Sequence, residues 1–256
     1  MNVKVVVPTY NEAENLPKLI STLLNLSLVE LNLLVVDDNS PDGTGQIAED
    51  LAKEYPDRIS VLHRLGKRGF GTAYLDGFAR ALEEGAEIIV QMDADFSHNP
   101  ERISDLLETV QESDMALGSR YVEGGKLDEG WPIWRKALSS FANIYVRLIL
   151  GMPVKDVTGG FRAWRRETLL GMPLERVKSN GYSFQVEMAY LAHRCGYSIK
   201  EIPIYFADRC LGESKMSLSI QIEAALRVWL IRFSYSDIKP IKRQRLIKKN
   251  PKIQGN

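Results

Sequence analysis

Ile88-Ile89-Val90-Gln91-Met92-Asp93-Ala94-Asp95 is a short apolar run that stops abruptly at two carboxylates. A run of that length, with no polar alternation until its end, reads as a strand buried on both faces, the kind found in a parallel sheet. In an open α/β sheet, ligands bind outside the carboxyl ends of the strands, so acids placed there face a ligand rather than the core. Carboxylates at i and i+2 supply hard oxygen ligands of the kind that Mg²⁺ or Mn²⁺ prefers, and the usual companion of such an ion is a diphosphate. The spacing alone is common in loops. Its place at a strand end makes Asp93 and Asp95 a candidate metal site.

The surrounding chain repeats the pattern. Residues 3–7, 31–37, 59–63, 87–93 and 115–119 read as strands, and 14–26, 45–55, 72–84 and 100–112 carry apolar residues at helical spacing. This alternation predicts stacked βαβ units, hence an α/β fold with a mostly parallel sheet and helices on both faces. After Tyr121 the rhythm breaks. A glycine-rich stretch (123–130) leads to a long amphipathic segment (133–150), a short apolar piece (161–164), a helical stretch (184–194), a strand (198–206) and an amphipathic helix (220–235).

With 256 residues, 45% hydrophobic and 26% charged, the chain suits one globular catalytic domain, expected at 1–236, followed by a basic tail at 237–256. The formal net charge is +0, yet residues 220–256 hold nine Lys or Arg against two acids, or +7, leaving −7 on the rest. That tail suits an anionic lipid surface, and equally a solvated end. The N-terminus enters a strand directly, without the features of a secretory signal, so the expected location is cytoplasmic, peripheral on the cytoplasmic face of a membrane. Cys195 and Cys210 give neither a disulfide framework nor a zinc site. No GxGxxG follows the first strand, which excludes a dinucleotide-binding dehydrogenase, and basic residues clustered at one end argue against nucleic acid as a partner.

Loops at the other strand ends carry further polar groups. Pro8-Thr9-Tyr10-Asn11-Glu12 follows the first strand; Pro8 is expected to end the ladder, and Tyr10 and Glu12 suit a base or ribose. The second strand ends in Asp37-Asp38, and Ser40-Pro41-Asp42-Gly43-Thr44 then reads as turn and helix cap. Like charges gathered at the ends of these strands repel unless a cation or hydrogen-bond donors offset them, which a metal and a nucleotide would supply.

Taken in order, these motifs resemble family 2 glycosyltransferases. Together with Gly118-Ser119-Arg120-Tyr121, Thr158-Gly159-Gly160-Phe161-Arg162, the run 181–188, and Asp208-Arg209 with Gly212-Glu213-Ser214-Lys215-Met216, they are similar to the dolichyl-phosphate (polyprenyl-phosphate) mannose synthases, in the short class without transmembrane helices. The resemblance runs from about residue 3 to 236. It implies a single Rossmann-like, GT-A-type nucleotide-sugar-binding domain. The nucleotide would lie over Pro8, Tyr10, Glu12, Val36 and Asp38. Asp95 would bind Mg²⁺ or Mn²⁺ with Asp93 beside it and Ala94 between them, while Ser97 stands where some relatives have Gln. Arg209 and Lys215 would form a cationic lid over the diphosphate.

The implied reaction moves mannose from GDP-mannose to a polyprenyl (dolichyl) phosphate with inversion, giving a β-mannosyl phosphate lipid and GDP. A phosphate monoester is anionic near neutrality and needs no base, only cations to hold it. Arg120 suits two-pronged binding of that phosphate, and Arg135 with Ser139, four apart on one helix face, would complete the site. The stripe Phe141, Ile144, Tyr145, Leu148 and Ile149 reads first as core and otherwise as a guide for the polyprenyl chain. Two alternatives remain: glucosyl transfer from UDP-glucose to the same lipid phosphate, and a non-catalytic nucleotide-binding membrane partner. The expected partners are GDP-mannose, the lipid phosphate, a membrane surface and, unless the tail serves as anchor, a small membrane-anchoring subunit.

Overall fold

The computed structural model describes residues 1–26, 31–207 and 218–240. Its elements follow the chain as β1 (Val3–Thr9), α1 (Leu16–Leu24), β2 (Leu31–Asp37), α2 (Thr44–Glu54), β3 (Ile59–His63), α3 (Phe70–Glu83), β4 (Ile88–Gln91), α4 (Ile103–Gln111) and β5 (Met115–Ser119). There follow β6 (Lys126–Leu127), α5 (Ile133–Leu150), β7 (Arg162–Arg165), α6 (Arg166–Leu170), α7 (Gly181–Arg194), β8 (Ile199–Pro203), β9 (Tyr205–Phe206) and α8 (Leu218–Ser234).

Seven strands form one sheet in the order β3-β2-β1-β4-β7-β5-β8. All run the same way except β7, which is antiparallel to both β4 and β5. Because β1 connects onward to β2 on one side while β4 lies on the other, the strand order reverses at β1. A crevice therefore opens between the carboxyl ends of β1 and β4, where the acid pair follows β4.

Alternation along each strand divides the core in two. Val3, Val5 and Val7 of β1, with Leu33 and Val35 of β2, pack on α1 and α4. Val6, Leu34 and Val36 face the opposite layer with Tyr74 and Phe78 of α3 and Phe184 of α7. The close approach of α3 to the sheet needs Gly77, where a Cβ would come within 2.5 Å of Val6 Cγ1 and 3.0 Å of Val36 Cγ2.

Three sequence expectations change. Pro8 does not end the ladder, for β1 continues through Pro8↔Val36 and Thr9↔Asp37. Met92 N–H donates to Val6 O and Asp38 N–H to Thr9 O, so the backbone of Pro8 faces the β4 side, where β4 has already ended. No ladder bond is lost there. The expected strand 198–206 divides into β8, paired with β5, and β9, paired with β6 in a separate two-stranded sheet. The expected core stripe on α5 is only partly core: Tyr145 and Ile149 pack inward, whereas Phe141, Ile144 and Leu148 are exposed. Among the described residues no helix is long and apolar enough to cross a membrane.

Candidate active site at the carboxyl ends of the strands

The loops after β1 and β2 form one wall. Asn11 N–H donates to Ser40 Oγ (3.1 Å), Glu12 N–H to Thr44 Oγ1 (2.9 Å) and Ala13 N–H to Asp42 Oδ2 (3.1 Å). Residues 40–44 therefore form the expected turn, but Gly43 stands at the start of α2 with no side-chain cap, and the polar side chains of the turn carry the neighbouring loop instead. Asn11 and Asn39 have φ of 61° and 60°, a left-handed conformation that asparagine tolerates better than most residues. Asp37 accepts from Thr9 Oγ1 (3.3 Å), Ser40 Oγ (2.5 Å) and Ser40 N–H (3.2 Å). Asp38 accepts from the buried Arg64 (2.5 Å) and the backbone N–H groups of Arg68 (3.1 Å) and Gly69 (2.9 Å).

The protein itself thus offsets the charge on Asp37 and Asp38. The repulsion expected to demand a metal and a nucleotide is relieved by Arg64 and backbone donors, and Asp38 holds the β3–α3 loop in place. Val36, fully buried against the α3 layer, offers no side-chain contact to a substrate, and the methyl of Ala94 likewise faces the core. Pro8, Tyr10 and Glu12 keep partial exposure on this wall. The Lys67 ammonium, which the sequence reading passed over, sits 3.5 Å above the Tyr10 ring.

The acid turn sits at the middle of the crevice. Phe96, with φ of 59°, makes the chain double back, so that Ser97 N–H donates to Asp95 Oδ1 (3.0 Å) and Asp93 N–H to His98 Nδ1 (3.3 Å). Because Nδ1 accepts, the imidazole is the neutral Nε2–H tautomer; burial pushes its pKa below the ordinary value despite the acids nearby. His98 stacks on Phe161 at 5.1 Å. Tyr74, also fully buried, donates its hydroxyl to Asp93 Oδ1 (2.8 Å), and burial with the adjacent carboxylate raises its pKa well above the usual phenol. Tyr74 and His98 end two of the motifs that carry the resemblance, 69–74 and 93–98, but the sequence reading assigned neither a role. A signal existed for Tyr74: a tyrosine on a core-facing helix stripe needs a partner for its hydroxyl.

Beneath the turn lies a buried polar layer. Gln91 bonds Gln185 (2.7 Å), and Arg162 of β7 donates to the carbonyls of Gly159 (2.9 Å) and Gln185 (2.8 Å). Burial lowers the Arg162 pKa to about 9.

The opposite wall is built around Arg120, just past β5. Its Nε and Nη2 donate to the two oxygens of Asp156 at 2.7 Å each, and Nη2 also reaches Thr158 Oγ1 (2.6 Å). The Arg120 fork expected to hold an acceptor phosphate is thus engaged by Asp156, leaving Nη1 outside these contacts. Burial raises the cost of charge on both groups, but their mutual attraction prevails, holding the carboxyl below and the guanidinium above their ordinary values. Tyr121 OH donates to Ser139 Oγ (2.7 Å), and Asn143 Nδ2 to Thr158 Oγ1 (3.2 Å), which brings α5 into the site. Arg135 stacks over Trp131 at 3.7 Å. The Phe206 ring lies 5.7 Å from His98, 6.0 Å from Trp131 and 5.1 Å from the Arg120 guanidinium, linking the acid turn to this wall. Arg209 and Lys215 lie outside the described residues.

Among the described residues no group of three His, Cys, Asp or Glu could hold a metal ion. Two carboxylates suit an ion that completes its shell with water and substrate phosphate oxygens, as Mg²⁺ commonly does. A mostly parallel sheet with one reversed strand and an acid turn at its switch point defines a glycosyltransferase of GT-A-like fold. The chain belongs to glycosyl transferase family 2, whose model matches residues 4–170.

Two relatives are similar over most of their length. The polyprenol monophosphomannose synthase of Mycolicibacterium smegmatis is 48% identical over 231 residues, covering 89% of this chain and 86% of the relative. The undecaprenyl-phosphate mannosyltransferase of Micrococcus luteus is 46% identical over 228 residues, covering 89% and 93%. Among solved structures, glucosyl-3-phosphoglycerate synthase from Mycobacterium tuberculosis with Mn²⁺, uridine-diphosphate and phosphoglyceric acid shares the fold at a TM-score of 0.64 and 20% identity, covering 94% of this chain and 80% of that one. A mannosyltransferase from Pyrobaculum calidifontis in complex with GDP-Man and Mn²⁺ gives 0.59 and 18%, covering 91% and 63%.

Proposed function

We propose that the chain transfers mannose from GDP-mannose to a polyprenyl phosphate with inversion, giving a β-mannosyl phosphate lipid and GDP. The observation that carries this reading is the placement of Asp93 and Asp95 at the end of β4 and of Arg120 at the end of β5, joined through His98 and Phe206. An acid turn for a metal–diphosphate thus faces a cationic wall for a second phosphate. The named activities of the two relatives support the same acceptor class.

In this reading, the loops carrying Pro8, Tyr10 and Glu12 receive the nucleoside, and Asp95 with Asp93 holds Mg²⁺ or Mn²⁺. Once bound, the metal offsets the charge that builds on the departing diphosphate. Tyr74 and His98 hold Asp93 in one orientation. Arg120 presents Nη1 to the acceptor phosphate, with Arg135 and Ser139 beside it on α5. An anionic phosphate attacks without surrendering a proton, so no general base is needed. Arg209 and Lys215 complete the diphosphate site from the segment after β9. Residues 1–236 form the catalytic unit and 237–256 a basic tail, and the enzyme works at the cytoplasmic face of a membrane, on the tail or on a small anchoring subunit.

The test is to incubate the purified protein with Mg²⁺ or Mn²⁺, a polyprenyl phosphate, and either GDP-mannose or UDP-glucose, and to follow sugar entering the lipid phase. Transfer from GDP-mannose, lost on adding a chelator, is expected. Transfer from UDP-glucose alone would replace the donor, and none from either would overturn the proposal.

A further inference from the structure

Trp131 stands just before α5, and only 8% of it is exposed. The chain holds it from both directions. Trp131 N–H donates to Asp128 O (3.2 Å), Gly130 N–H to Asp128 Oδ1 (2.8 Å) and Tyr205 OH to Asp128 Oδ2 (2.9 Å), so the loop between β6 and α5 is tied to β9. Downstream, the N–H groups of Arg135 and Lys136 donate to Pro132 O, which starts the helix directly after the tryptophan.

Two side chains pack on the indole. The Arg135 guanidinium lies over the ring, 3.7 Å from its centroid, and the Phe206 ring meets it at 84° with centroids 6.0 Å apart. Phe206 in turn lies 5.1 Å from the Arg120 guanidinium. The indole therefore links the two arginines assigned to the acceptor phosphate, touching Arg135 directly and Arg120 through Phe206.

The polar edge of the same ring is unused. Trp131 Nε1 is buried and has no hydrogen-bond partner among the described residues. A buried donor left in that state has lost its water and gained nothing in return, so it calls for an explanation. The groups packed around it do not relieve it. A guanidinium carries donors and no acceptor, and Phe206 has no lone pair to offer. An unpaired N–H beside cations suits an anionic oxygen that arrives with a ligand.

We infer that Trp131 is a further binding residue for the acceptor: its indole N–H donates to a phosphate oxygen of the polyprenyl phosphate while its ring face holds Arg135 on the same phosphate. The inference rests on the lipid-phosphate acceptor proposed above and deepens it. An indole N–H is a single donor on a rigid ring, so it fixes one oxygen of a phosphate that would otherwise rotate and leaves another to face the sugar. Being neutral, it adds this orientation without drawing further on the negative charge with which the phosphate attacks.

Trp131→Phe keeps an aromatic face under Arg135 and removes the N–H. In the full chain, kcat/KM for the polyprenyl phosphate should fall by about tenfold to a hundredfold, the range for a hydrogen bond to a charged group, carried mainly by the acceptor KM. GDP-mannose affinity and melting temperature should stay close to wild type. The indole region of a nitrogen–proton correlation spectrum gives a readout independent of turnover, the Trp131 signal being assigned by its absence from Trp131→Phe. Farnesyl phosphate, a short-chain polyprenyl phosphate, should move that signal downfield, whereas GDP with Mg²⁺ should leave it close to its place. An unmoved signal would overturn the inference, as would full acceptor kcat/KM in Trp131→Phe. A shift caused only by GDP with Mg²⁺ would overturn it in favour of the departing diphosphate. If farnesyl phosphate moves the signal but wild-type protein transfers no mannose, the functional reading fails and the phosphate contact stands.

Discussion

Arg120 and Asp156 meet in a two-pronged contact, both bonds at 2.7 Å, and the Arg120 backbone N–H donates to the same carboxylate at 2.9 Å. Thirty-six residues separate them, yet both arrive at the end of β5 because β7 runs backwards. The loop leading into a reversed strand lies beside the carboxyl ends of its neighbours, so 156–161 is delivered to the site. The pair fixes the direction in which Arg120 presents its remaining nitrogen.

Replacing Arg120 by lysine keeps the charge and removes the planar fork. Transfer should fall by at least about a hundredfold in kcat/KM, on the scale of losing one transition-state contact to a developing charge. GDP-mannose affinity, assigned to the other wall in the proposed function, should change little. Steady-state kinetics with a titration of the donor separates the two.

Asp156→Asn leaves Arg120 buried without its counter-charge. We expect a loss of about 3–5 kcal/mol in stability at neutral pH. The folded carboxyl is held below its ordinary 3.8, so between that value and the folded one the unfolded chain binds more protons, and stability falls as pH falls. The gap between wild type and variant should therefore be constant above about pH 5 and close as pH drops below 3.8. Urea denaturation of both proteins across pH 3–6 checks it.

Tyr74→Phe removes only the hydroxyl that holds Asp93 Oδ1. Partners that orient a metal ligand are worth about 10–100-fold in affinity, so Mn²⁺ binding in the presence of GDP should weaken by about tenfold. Since the ring packing on Phe70 and Phe184 is kept, the melting temperature should stay close to wild type. Paramagnetic titration of Mn²⁺ is the measurement.

Asp95→Ala should abolish metal-dependent transfer while the far-ultraviolet circular dichroism remains native. Retained transfer would remove Asp95 from the site.

Much of the candidate site's layout was readable from order along the chain. The acid pair stands at a strand end, and the loop after β1 meets the turn after β2, because those positions follow from strands that the apolar runs define. Asp38 and Val36 were legible as positions but not as roles. Nothing local tells that Arg64, 26 residues on, will occupy Asp38, or that Gly77 will press α3 down onto Val36. Arg120 had the same fate, its partner Asp156 being unremarkable in sequence.

Hydrophobic spacing by itself determined where the strands and helices of the first 120 residues form, since periods near two and 3.6 are set by backbone geometry within a few residues. It also determined that α5 carries an apolar stripe. Only the tertiary structure decided the direction of β7, the pairing of buried charges, and which side of the Phe141–Leu148 stripe stays bare. Burial depends on what packs against a surface, and that neighbour, here α8, lies some eighty residues away in the chain.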